Sequence, residues 1–395
     1  MSETVAANGT ATLTVARTVE ELRELAEPWR RLQGSHFATD PDVFPEILAA
    51  QPHALRPHVL LLRRDGEARA VVVARLEEIP LSVSVGYKVL FSPRVRALTV
   101  VYRGVLGDLS ETDARAVVEA LRGALATEEA DVVRFRNLVV GSPLYTVATT
   151  TRPRLLRENL ERPFSHWQLT LPGSYAAFLS SLSRKTRDGF GRYSRKLEKD
   201  FGDRLDLKRY TDLADADRVF TDLRRVAEKT YQQGLGVSFA QSELQRRIAL
   251  MQMERGWFRA YVLYLDGEPV SFWQGYAYGG VFSTGVPGYD PAYARQRVGN
   301  YVLLKLIEDL CEDETIHTLD FGFGDAEYKR RFGSTSWLEQ DVHIFAGTAK
   351  GIRTALVRRT SLGLTDLVRR SLERTEAVDR VKKAWRDRLA RNRPS

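Results

Sequence analysis

The feature that most constrains the fold is a hairpin plan that occurs twice in the sequence. The two turns are Asp65-Gly66-Glu67 and Asp266-Gly267-Glu268, and runs of apolar residues flank each of them. Asp-Gly between two apolar runs supplies the positive φ angles that a tight hairpin turn requires. The sequence therefore predicts an antiparallel strand pair in each half of the chain.

Each hairpin is followed by a helix and then by another strand. In the first half, a capping box at residues 110–113 begins a helix that runs to about Ala126, and residues 131–138 form the next strand. In the second half, a helix over residues 299–311 precedes a strand over residues 318–323. We therefore predict two tandem copies of one α/β (α+β) unit, each with a central mixed sheet flanked by helices.

The length of the chain agrees with two compact units. At 395 residues it is too long for one ordinary core, and its hydrophobic share of 43% is typical of globular proteins. Pro163 and the pair Pro172-Gly173 interrupt the pattern between the two halves. We place the domains at residues 1–165, 166–347 and 348–395, the last being a basic helical extension.

This extension carries the entire net positive charge of the chain. Residues 350–395 contain 14 Lys and Arg against 5 Asp and Glu, which leaves 45 basic and 46 acidic residues in the remainder. Apolar residues such as Val378, Val381 and Trp385 recur at helical spacing between the arginines. The pattern indicates helices that dock on the protein's own body, on an anionic membrane surface or on an acidic partner.

Other features favour a cytoplasmic protein that needs no metal. No apolar run approaches the roughly 20 residues that span a bilayer, and the first residues lack the pattern of an export signal. The tail gives the inner face of the membrane as a second expected location. Cys311 is the single cysteine and is expected to pack inside a helix. The histidines, His317 and His343 among them, lack the spacing of a zinc site and are expected to be structural.

A strand with an unusual end is the first candidate site. Gly322 and Gly324 remove side chains from the end of the strand, which lets a ligand or another backbone approach closely. The charged residues that follow at once are Asp325, Glu327 and Lys329. They would supply a base and a cation beside the opened strand end. A β-bulge followed by a solvated helix start is the alternative explanation.

A loop that leads into a helix is the second candidate. The first turn of the helix that begins near Gly299 presents unpaired N–H groups and the positive end of the helix dipole. Such an end can bind a pyrophosphate without a metal, and Arg295 and Arg297 would add positive charge. The earlier segment 183–200 is also basic and would hold phosphates or bases, or serve as a solvated helix between domains.

The run from Asp320 to Gly333 resembles the signature of the acetyltransferase domain of CelD-like and BioF2-like proteins, which belongs to the GNAT superfamily. The resemblance covers about residues 167–345 and extends weakly over the first half. GNAT enzymes hold the pyrophosphate of coenzyme A with a loop of pattern Gln/Arg-x-x-Gly-x-Gly/Ala, from which Tyr301 departs. The resemblance implies an acetyl-CoA or other acyl-CoA donor and no metal. The residues that it assigns to the donor are Val286, Arg295, Gln296, Arg297, Val298, Gly299 and Asn300.

The same resemblance implies roles at the strand end. Asp325 and Glu327 are candidates for the base, and Tyr328 would protonate the leaving thiolate or simply pack. Lys329 also matches a Tyr/Phe-Lys-x-x-Phe-Gly segment of the twin-GNAT FemABX transferases, in which the lysine lies close to the reacting carbonyl. It would stabilise negative charge, or pair with a neighbouring carboxylate. The acceptor-side candidates are Tyr231, Trp273, Gln274, Gly322 and Gly324, with core packing as the alternative for Tyr231 and Trp273.

The resemblance implies N-acyl transfer from acyl-CoA to an amine of a sugar, an amino acid or a cell-envelope or polysaccharide precursor. The second copy is expected to carry the site, because the first lacks both the loop and the glycine turn, and the first copy would close one wall of the acceptor cleft. One alternative is a FemABX-like amide synthase that uses aminoacyl-tRNA. The other is a scaffold without catalysis whose basic tail recruits it to a membrane or complex.

Overall fold

The computed structural model describes residues 3–6, 11–81, 83–85, 88–151, 153–230 and 242–373. Its internal contacts divide the chain into two compact units. The first unit combines Met1–Phe164 with Trp337–Ser395, and the second is Ser165–Ser336. The domain ranges placed from the sequence differ from this division, because the last strand and the helix after it group with the first unit.

The secondary structure alternates strands and helices along the chain. The described strands are β1 (Glu3–Ala6), β2 (Ala11–Ala16), β3 (Ala54–Arg64), β4 (Glu67–Pro80), β5 (Val83–Val85), β6 (Lys88–Phe91), β7 (Arg94–Gly107), β8 (Val132–Val139), β9 (Arg157–Glu158), β10 (Phe164–Thr170), β11 (Leu205–Tyr210), β12 (Phe258–Leu265), β13 (Glu268–Tyr278), β14 (Val281–Thr284), β15 (Gly288–Tyr289), β16 (Thr318–Phe323) and β17 (Thr335–Phe345). The described α-helices are α1 (Val19–Leu32), α2 (Phe44–Ala50), α3 (Glu111–Ala126), α4 (Pro143–Thr150), α5 (Tyr175–Ser181), α6 (Arg184–Phe201), α7 (Ala216–Lys229), α8 (Glu243–Glu254), α9 (Val298–Glu312), α10 (Glu327–Phe332) and α11 (Ala349–Glu373).

The sheet of the first unit has the strand order β1-β2-β3-β4-β7-β8-β17, with β9 paired to β17. Its neighbours are antiparallel except β7 and β8, which are parallel and are connected through α3. The strands β5 and β6 form a separate two-stranded sheet. The parallel pair therefore lies near one end of a mixed sheet.

The sheet of the second unit has the order β11-β12-β13-β14-β16-β10, with β15 paired to β13. Here β14 and β16 form the parallel pair, and α9 connects them. Six strands of the first unit, from β2 to β17, thus follow the same order and directions as the six of the second. The predicted α/β architecture of two similar units is confirmed, although the sixth strand of the first unit comes from a distant part of the chain.

Local sequence signals account for the hairpins and helix starts. Asp65 and Gly66 have φ angles of 53° and 82°, and Asp266 and Gly267 have 53° and 79°. Two successive positive φ angles match the turn that an Asp-Gly pair favours, so both predicted hairpins are confirmed. The capping box that begins α3 is also present, with the hydroxyl of Ser110 accepting from the backbone N–H three residues later.

Helices cover both faces of the first sheet and α9 covers the core of the second. Val117 and Leu121 of α3 pack on the first sheet, and the largest buried side chain on its other face is Trp29 of α1. Leu303 of α9 is fully buried in the second core, and Cys311 near the end of this helix is buried as predicted. Burying such a leucine contributes roughly 1.5–3 kcal/mol.

The C-terminal helix α11 docks on the first unit over its described part. Ala355 is fully buried, and Arg358 is buried and ion-paired with Glu158. This favours docking on the protein's own body for the start of the predicted tail, while the predicted stripe from Val378 onward lies outside the described residues. In the ranges that the structure describes, no helix combines the length and the apolar character that crossing a bilayer requires.

Candidate active site

The parallel strands β14 and β16 are paired only over a short distance. Their last paired residues are Ser283 and Asp320. Beyond this pair the N–H of Gly285 donates to the carbonyl of Gln274 on β13 at 2.8 Å, while β16 continues along β10. The strand β14 ends at Thr284 and this last bond continues its pairing with β13. The end of the pairing leaves an opening between the two strands.

Val286 lies at this opening. Its backbone N–H forms no hydrogen bond with any residue in the described ranges, and Pro287 after it has no N–H group. A backbone donor at such a point can stabilise an oxygen that acquires negative charge. The role of Val286 on the donor side stays a prediction.

The strand end at Gly322 is held by a buried carboxylate. Asp320 is 4% exposed, and its Oδ1 accepts from the N–H of Gly322 at 2.7 Å and lies 2.7 Å from Nε2 of the fully buried His166. Its Oδ2 accepts from Gln168 at 3.1 Å. Gly322 and Gly324 have φ angles of 68° and 90°, which non-glycine residues rarely adopt. These three contacting groups fix the turn at the point where β16 leaves its parallel partner.

Lys329 reaches back from α10 to this turn. Its side chain is 7% exposed, and Nζ donates to the carbonyls of Phe323 at 2.7 Å and Gly322 at 3.3 Å. Burial lowers the pKa of Lys329 to about 8, although the carboxylates of Asp320 and Asp325 act in the opposite direction. An ammonium group has three N–H bonds, so one remains for a ligand.

The other predicted catalytic residues do not converge on the lysine. Asp325 is ion-paired with Arg330, and Glu327 with Arg331, both at the surface. The ring of Tyr328 packs edge-on against Trp273, with ring centres 5.3 Å apart. Neither carboxylate is hydrogen-bonded to Lys329. The ammonium bonds to backbone carbonyls instead of forming the alternative ion pair with Asp325 or Glu327.

The predicted phosphate loop forms 3₁₀ turns over Pro291–Gln296, interrupted by a kink at Tyr293, and leads into α9. Arg297 adopts the left-handed conformation, with φ 54° and ψ 38°, and α9 begins at Val298. The N–H groups of Val298 and Gly299 lie in the first helical turn and have no intrahelical acceptor. The loop therefore delivers the backbone donors that the sequence predicted.

Gly299 is not required by the surrounding protein. A Cβ atom at this position would meet Tyr289 at 3.7 Å, an ordinary van der Waals distance, and the φ angle is not in the left-handed region. The carbonyl of Gly299 accepts from the indole N–H of Trp273 at 3.0 Å, which fixes the first turn. Close approach of a ligand is a reason for glycine that the packing does not supply.

The side chains of this loop differ in their burial and in their contacts. Oε1 of Gln296 is buried and has no hydrogen-bond partner in the described ranges. The Arg297 guanidinium lies 4.0 Å from the ring centre of Tyr193, and Arg295 is exposed. Val298 is fully buried, so only its backbone can meet a ligand. A diphosphate fits this set, because it offers charge to the arginines and acceptors to the helix N–H groups.

Tyr301 departs from the family pattern without occupying the loop. Its side chain is largely buried toward α6, and its hydroxyl donates to Glu198 at 3.2 Å. Burial raises the pKa of Tyr301 to about 12, and the neighbouring Glu198 adds to this effect. The basic helix α6 also buries Phe190 against Phe332, with ring centres 5.4 Å apart. Most of its charged side chains remain at the surface, as expected for a solvated helix.

The predicted acceptor residues are only partly brought together. Trp273 is 3% exposed and belongs to the core, where it supports the start of α9, and Gln274 follows it on β13. Gly322 and Gly324 lie at the strand end described above. Tyr231 lies outside the described residues.

His166 and Gln168 were missed by the sequence analysis. Both lie on β10 and contact Asp320, which is 154 residues from His166 in the sequence. The only local signal is a histidine in an alternating strand, which does not identify its partner. Within the part of the chain that the structure describes, no group of His, Cys, Asp and Glu residues could hold a metal ion.

Comparisons with known proteins agree with this geometry. Residues 184–330 match the family model of the acetyltransferase (GNAT) domain. No curated protein sequence matches the chain. The solved structure of FemX has a TM-score of 0.55 at 10% identity and covers 82% of this chain and 96% of its own.

Two further solved structures have lower scores. A tandem GNAT protein from the clavulanic acid biosynthesis pathway has a TM-score of 0.48 at 13% identity, covering 85% of this chain and 99% of its own. A conserved protein of unknown function from Bacteroides thetaiotaomicron has a TM-score of 0.49 at 12% identity, covering 83% and 97%. At these identities the likeness concerns the fold alone.

Proposed function

Because residues 184–330 form a GNAT acetyltransferase domain, we propose that the chain is an N-acyltransferase that moves an acetyl or longer acyl group from acyl-CoA to an amine. The observation that carries the proposal is the start of α9. There the N–H groups of Val298 and Gly299 lie in the first helical turn, Arg295 and Arg297 come just before them, and packing leaves space at Gly299.

The donor would bind with its diphosphate at this helix start and its thioester at the opening between β14 and β16. The residues that would hold it are Val286, Arg295, Gln296, Arg297, Val298, Gly299 and Asn300. The amine nitrogen attacks the thioester carbonyl carbon, so that a C–N bond forms, the C–S bond breaks and the thiolate leaves. The amine loses one proton and the thiolate gains one.

The chain supplies charge stabilisation and proton transfer for this step. The N–H of Val286 and the remaining N–H of Lys329 would donate to the carbonyl oxygen as it becomes negative. Asp325 or Glu327 would take the amine proton after release from its arginine, and Tyr328 would protonate the thiolate. Gly322, Gly324, Gln274, Trp273 and Tyr231 remain our proposal for the acceptor side.

The acceptor class that we propose is an amine of a sugar, an amino acid or a cell-envelope or polysaccharide precursor, handled in the cytoplasm or at the inner face of the membrane. The predicted domain 166–347 would carry the catalysis. A FemABX-like reaction with aminoacyl-tRNA is the second candidate. The buried Lys329 and the exposed basic residues of α6 favour it, and the fold likeness to FemX is compatible with both.

The proposal is tested by calorimetric titration with acetyl-CoA, octanoyl-CoA and free coenzyme A, and in parallel with bulk aminoacyl-tRNA. We expect saturable binding of a CoA thioester that Gly299→Glu abolishes, because its carboxylate would meet the diphosphate. Gly299→Ala is the matched control and should keep most of the affinity. CoA binding that Gly299→Glu leaves unchanged would refute this site. Salt-sensitive tRNA binding without CoA binding would favour the second candidate.

A further inference from the structure

A second cavity lies in the first unit, remote in sequence from the residues discussed above. It has a volume of about 470 Å³, within the range of small-molecule sites. Its apolar wall includes Val101, Leu106, Leu138 and Leu144, and its polar lining includes Arg136. We call it the β7–β8 cavity, since these strands contribute most of its lining.

The cavity exists because the first unit repeats the strand opening of the second. The parallel pairing of β7 with β8 ends at Val100 and Phe135. Beside this point β7 bulges, because its residues 101–104 have no partners on β4. Arg103 in the bulge has a φ angle of 53° and Asn137 on β8 has 54°. Non-glycine residues in this conformation are uncommon and concentrate at ligand sites.

Arg136 is the unusual group in this cavity. Its Nε is buried without a hydrogen-bond partner, and no hydrogen bond or ion pair of its guanidinium occurs in the described part of the chain. Burial lowers the pKa of Arg136 and the positive charge of Arg134 adds to this effect, while the carboxylates of Asp341 and Glu77 act in the opposite direction. Arg134 itself is paired with Asp341 at 3.0 Å. A largely desolvated guanidinium that is hydrogen-bonded to no anion in the described ranges is costly, and a ligand carboxylate would reduce this cost.

Two carboxylates line the cavity, of which Asp108 is exposed to solvent and Glu339 is already engaged. Glu339 is buried, and its oxygens accept from Asn137 at 3.1 Å and from the indole of Trp337 at 2.8 Å. These bonds disperse its charge and leave the guanidinium of Arg136 to the cavity. A neutral or cationic ligand would not compensate that guanidinium.

The helix after this opening does not suit a diphosphate. At the start of α3, the carboxylate of Asp113 and the hydroxyl of Ser110 already occupy the N–H groups of the capping box. Glu111 adds another negative charge to the first turn. An acyl-CoA would meet repulsion where α9 of the second unit offers arginines. The ligand of the first unit must therefore lack a diphosphate.

We propose that the β7–β8 cavity binds a small organic carboxylate, with the carboxylate on the Arg136 guanidinium and the apolar body against the wall of valine and leucine side chains. This site is independent of the proposed acyl-CoA site. A planar carboxylate can accept two parallel N–H bonds from one guanidinium, which a single-point acceptor cannot reproduce.

The test is calorimetric titration of the full chain with hexanoate and 3-phenylpropanoate, each beside its neutral amide. We expect saturable binding of at least one carboxylate, and affinity for its amide at least about tenfold weaker. Arg136→Met should abolish the preference for the carboxylate, while Arg69→Met, which changes an exposed arginine of β4, should not. Gly299→Glu should leave carboxylate binding unchanged, which separates this site from the donor site.

A stability measurement on the unliganded protein gives an independent readout. Because Arg136→Met removes a largely desolvated charge that has no hydrogen-bonded anion, its Tm should equal or exceed that of the wild type. Equal affinity for a carboxylate and its amide, absence of binding by both carboxylates, or full carboxylate affinity in Arg136→Met would each overturn the proposal. A Tm lowered by Arg136→Met would contradict the claim that the guanidinium lacks a partner.

Discussion

The ammonium nitrogen of Lys329 lies 2.7 Å from the carbonyl oxygen of Phe323, so that the end of strand β16 holds a buried cation. Backbone carbonyls take the place of a carboxylate partner here. Within the described ranges, no acidic side chain therefore neutralises the lysine by direct contact. A positive charge held in this way beside the strand opening needs little rearrangement when a thioester oxygen becomes negative.

Replacing this lysine should reduce turnover more than binding. We expect Lys329→Met to lower kcat by about 100-fold or more, the range seen when one donor to an oxyanion is lost. The proposed diphosphate site at α9 is untouched, so the Kd of the acyl-CoA should stay within about threefold. Steady-state kinetics and calorimetry measure the two effects. Lys305→Met, which removes an ammonium paired with Glu308, is the control. An unchanged kcat in Lys329→Met would exclude the proposed role.

The pH dependence of activity should report the same residue. With a pKa of about 8, Lys329 loses its charge as the pH rises from about 7 to 9. If the ammonium is the donor, kcat should decrease through this range, and the decrease should be missing in Lys329→Met. A profile of kcat between pH 6 and 10 for both proteins checks this. A decrease of the same shape in the variant would assign it to another group.

The free energy of unfolding should increase as the pH rises, whereas kcat should decrease. The folded-state pKa of Lys329 is below the unfolded value of 10.5, so between about 8 and 10.5 the unfolded chain binds more protons. Burying the ammonium therefore lowers the free energy of unfolding by its full amount below pH 8. Above pH 8 this loss becomes smaller, by at most about 1.4 kcal/mol per pH unit. Urea unfolding of the wild type and Lys329→Met should show a difference that shifts in favour of the wild type as the pH rises.

Asp320 should be a major determinant of stability as well as of the site. Asp320→Ala would leave His166 and the N–H of Gly322 without their acceptor, both in buried surroundings. We expect a loss of about 2–5 kcal/mol in the free energy of unfolding, measured by urea titration. Asp206→Ala, at an exposed pair with Lys208, should cost less than about 1 kcal/mol. Similar losses in the two variants would show that the buried contacts contribute little.

Local sequence signals predicted the turns and helix starts better than they predicted which strands pair with each other. The Asp266-Gly267 turn and the start of α9 are each encoded by a few neighbouring residues. Both could therefore be predicted directly from the sequence. The pairing of β17 with β8 joins residues about 200 positions apart, such as Glu339 and Val139, and no local pattern encodes it. For this reason the predicted boundary near residue 347 separates elements that the structure places together.

The candidate site shows the same limit. The glycine turn and the phosphate loop were predicted because their chemistry is contained in short segments. His166 was not predicted, because its role depends on a strand that lies beside β16 only after folding. The direction of the Tyr301 side chain also depends on tertiary contacts, since it leaves the loop to reach Glu198.

Two glycines of the second unit should respond differently to the same change. A Cβ on Gly275 would lie 2.2 Å from the carbonyl oxygen of Ser283, a backbone atom in a paired strand. Gly275→Ala should therefore destabilise the protein by more than about 2 kcal/mol, whereas Gly299→Ala should change stability by less than about 1 kcal/mol. Urea unfolding compares the two. Equal losses would mean that the start of α9 is as tightly packed as the sheet.

Acid unfolding of the first unit should depend on Glu158. This carboxyl is fully buried; burial alone would raise its pKa, but His343 and Arg358 lower it to about 2. Because the unfolded value is 4.5, the stabilisation is complete above about pH 5 and is lost as the pH falls toward 2. Its size is about 3 kcal/mol, at about 1.4 kcal/mol for each pH unit between the two pKa values. Glu158→Gln should therefore be clearly less stable than the wild type at pH 7, and the difference should shrink on acidification.

Urea unfolding of both proteins between pH 3 and 7 would measure this convergence. Glu27→Gln, at an exposed carboxylate of α1, should run parallel to the wild type because a surface ion pair contributes little. A difference between Glu158→Gln and the wild type that stays constant with pH would show that the glutamate acts by packing alone. Because its partner Arg358 lies in α11, convergence would also show that the charge contact with this helix stabilises the first unit, apart from any role of the residues beyond it.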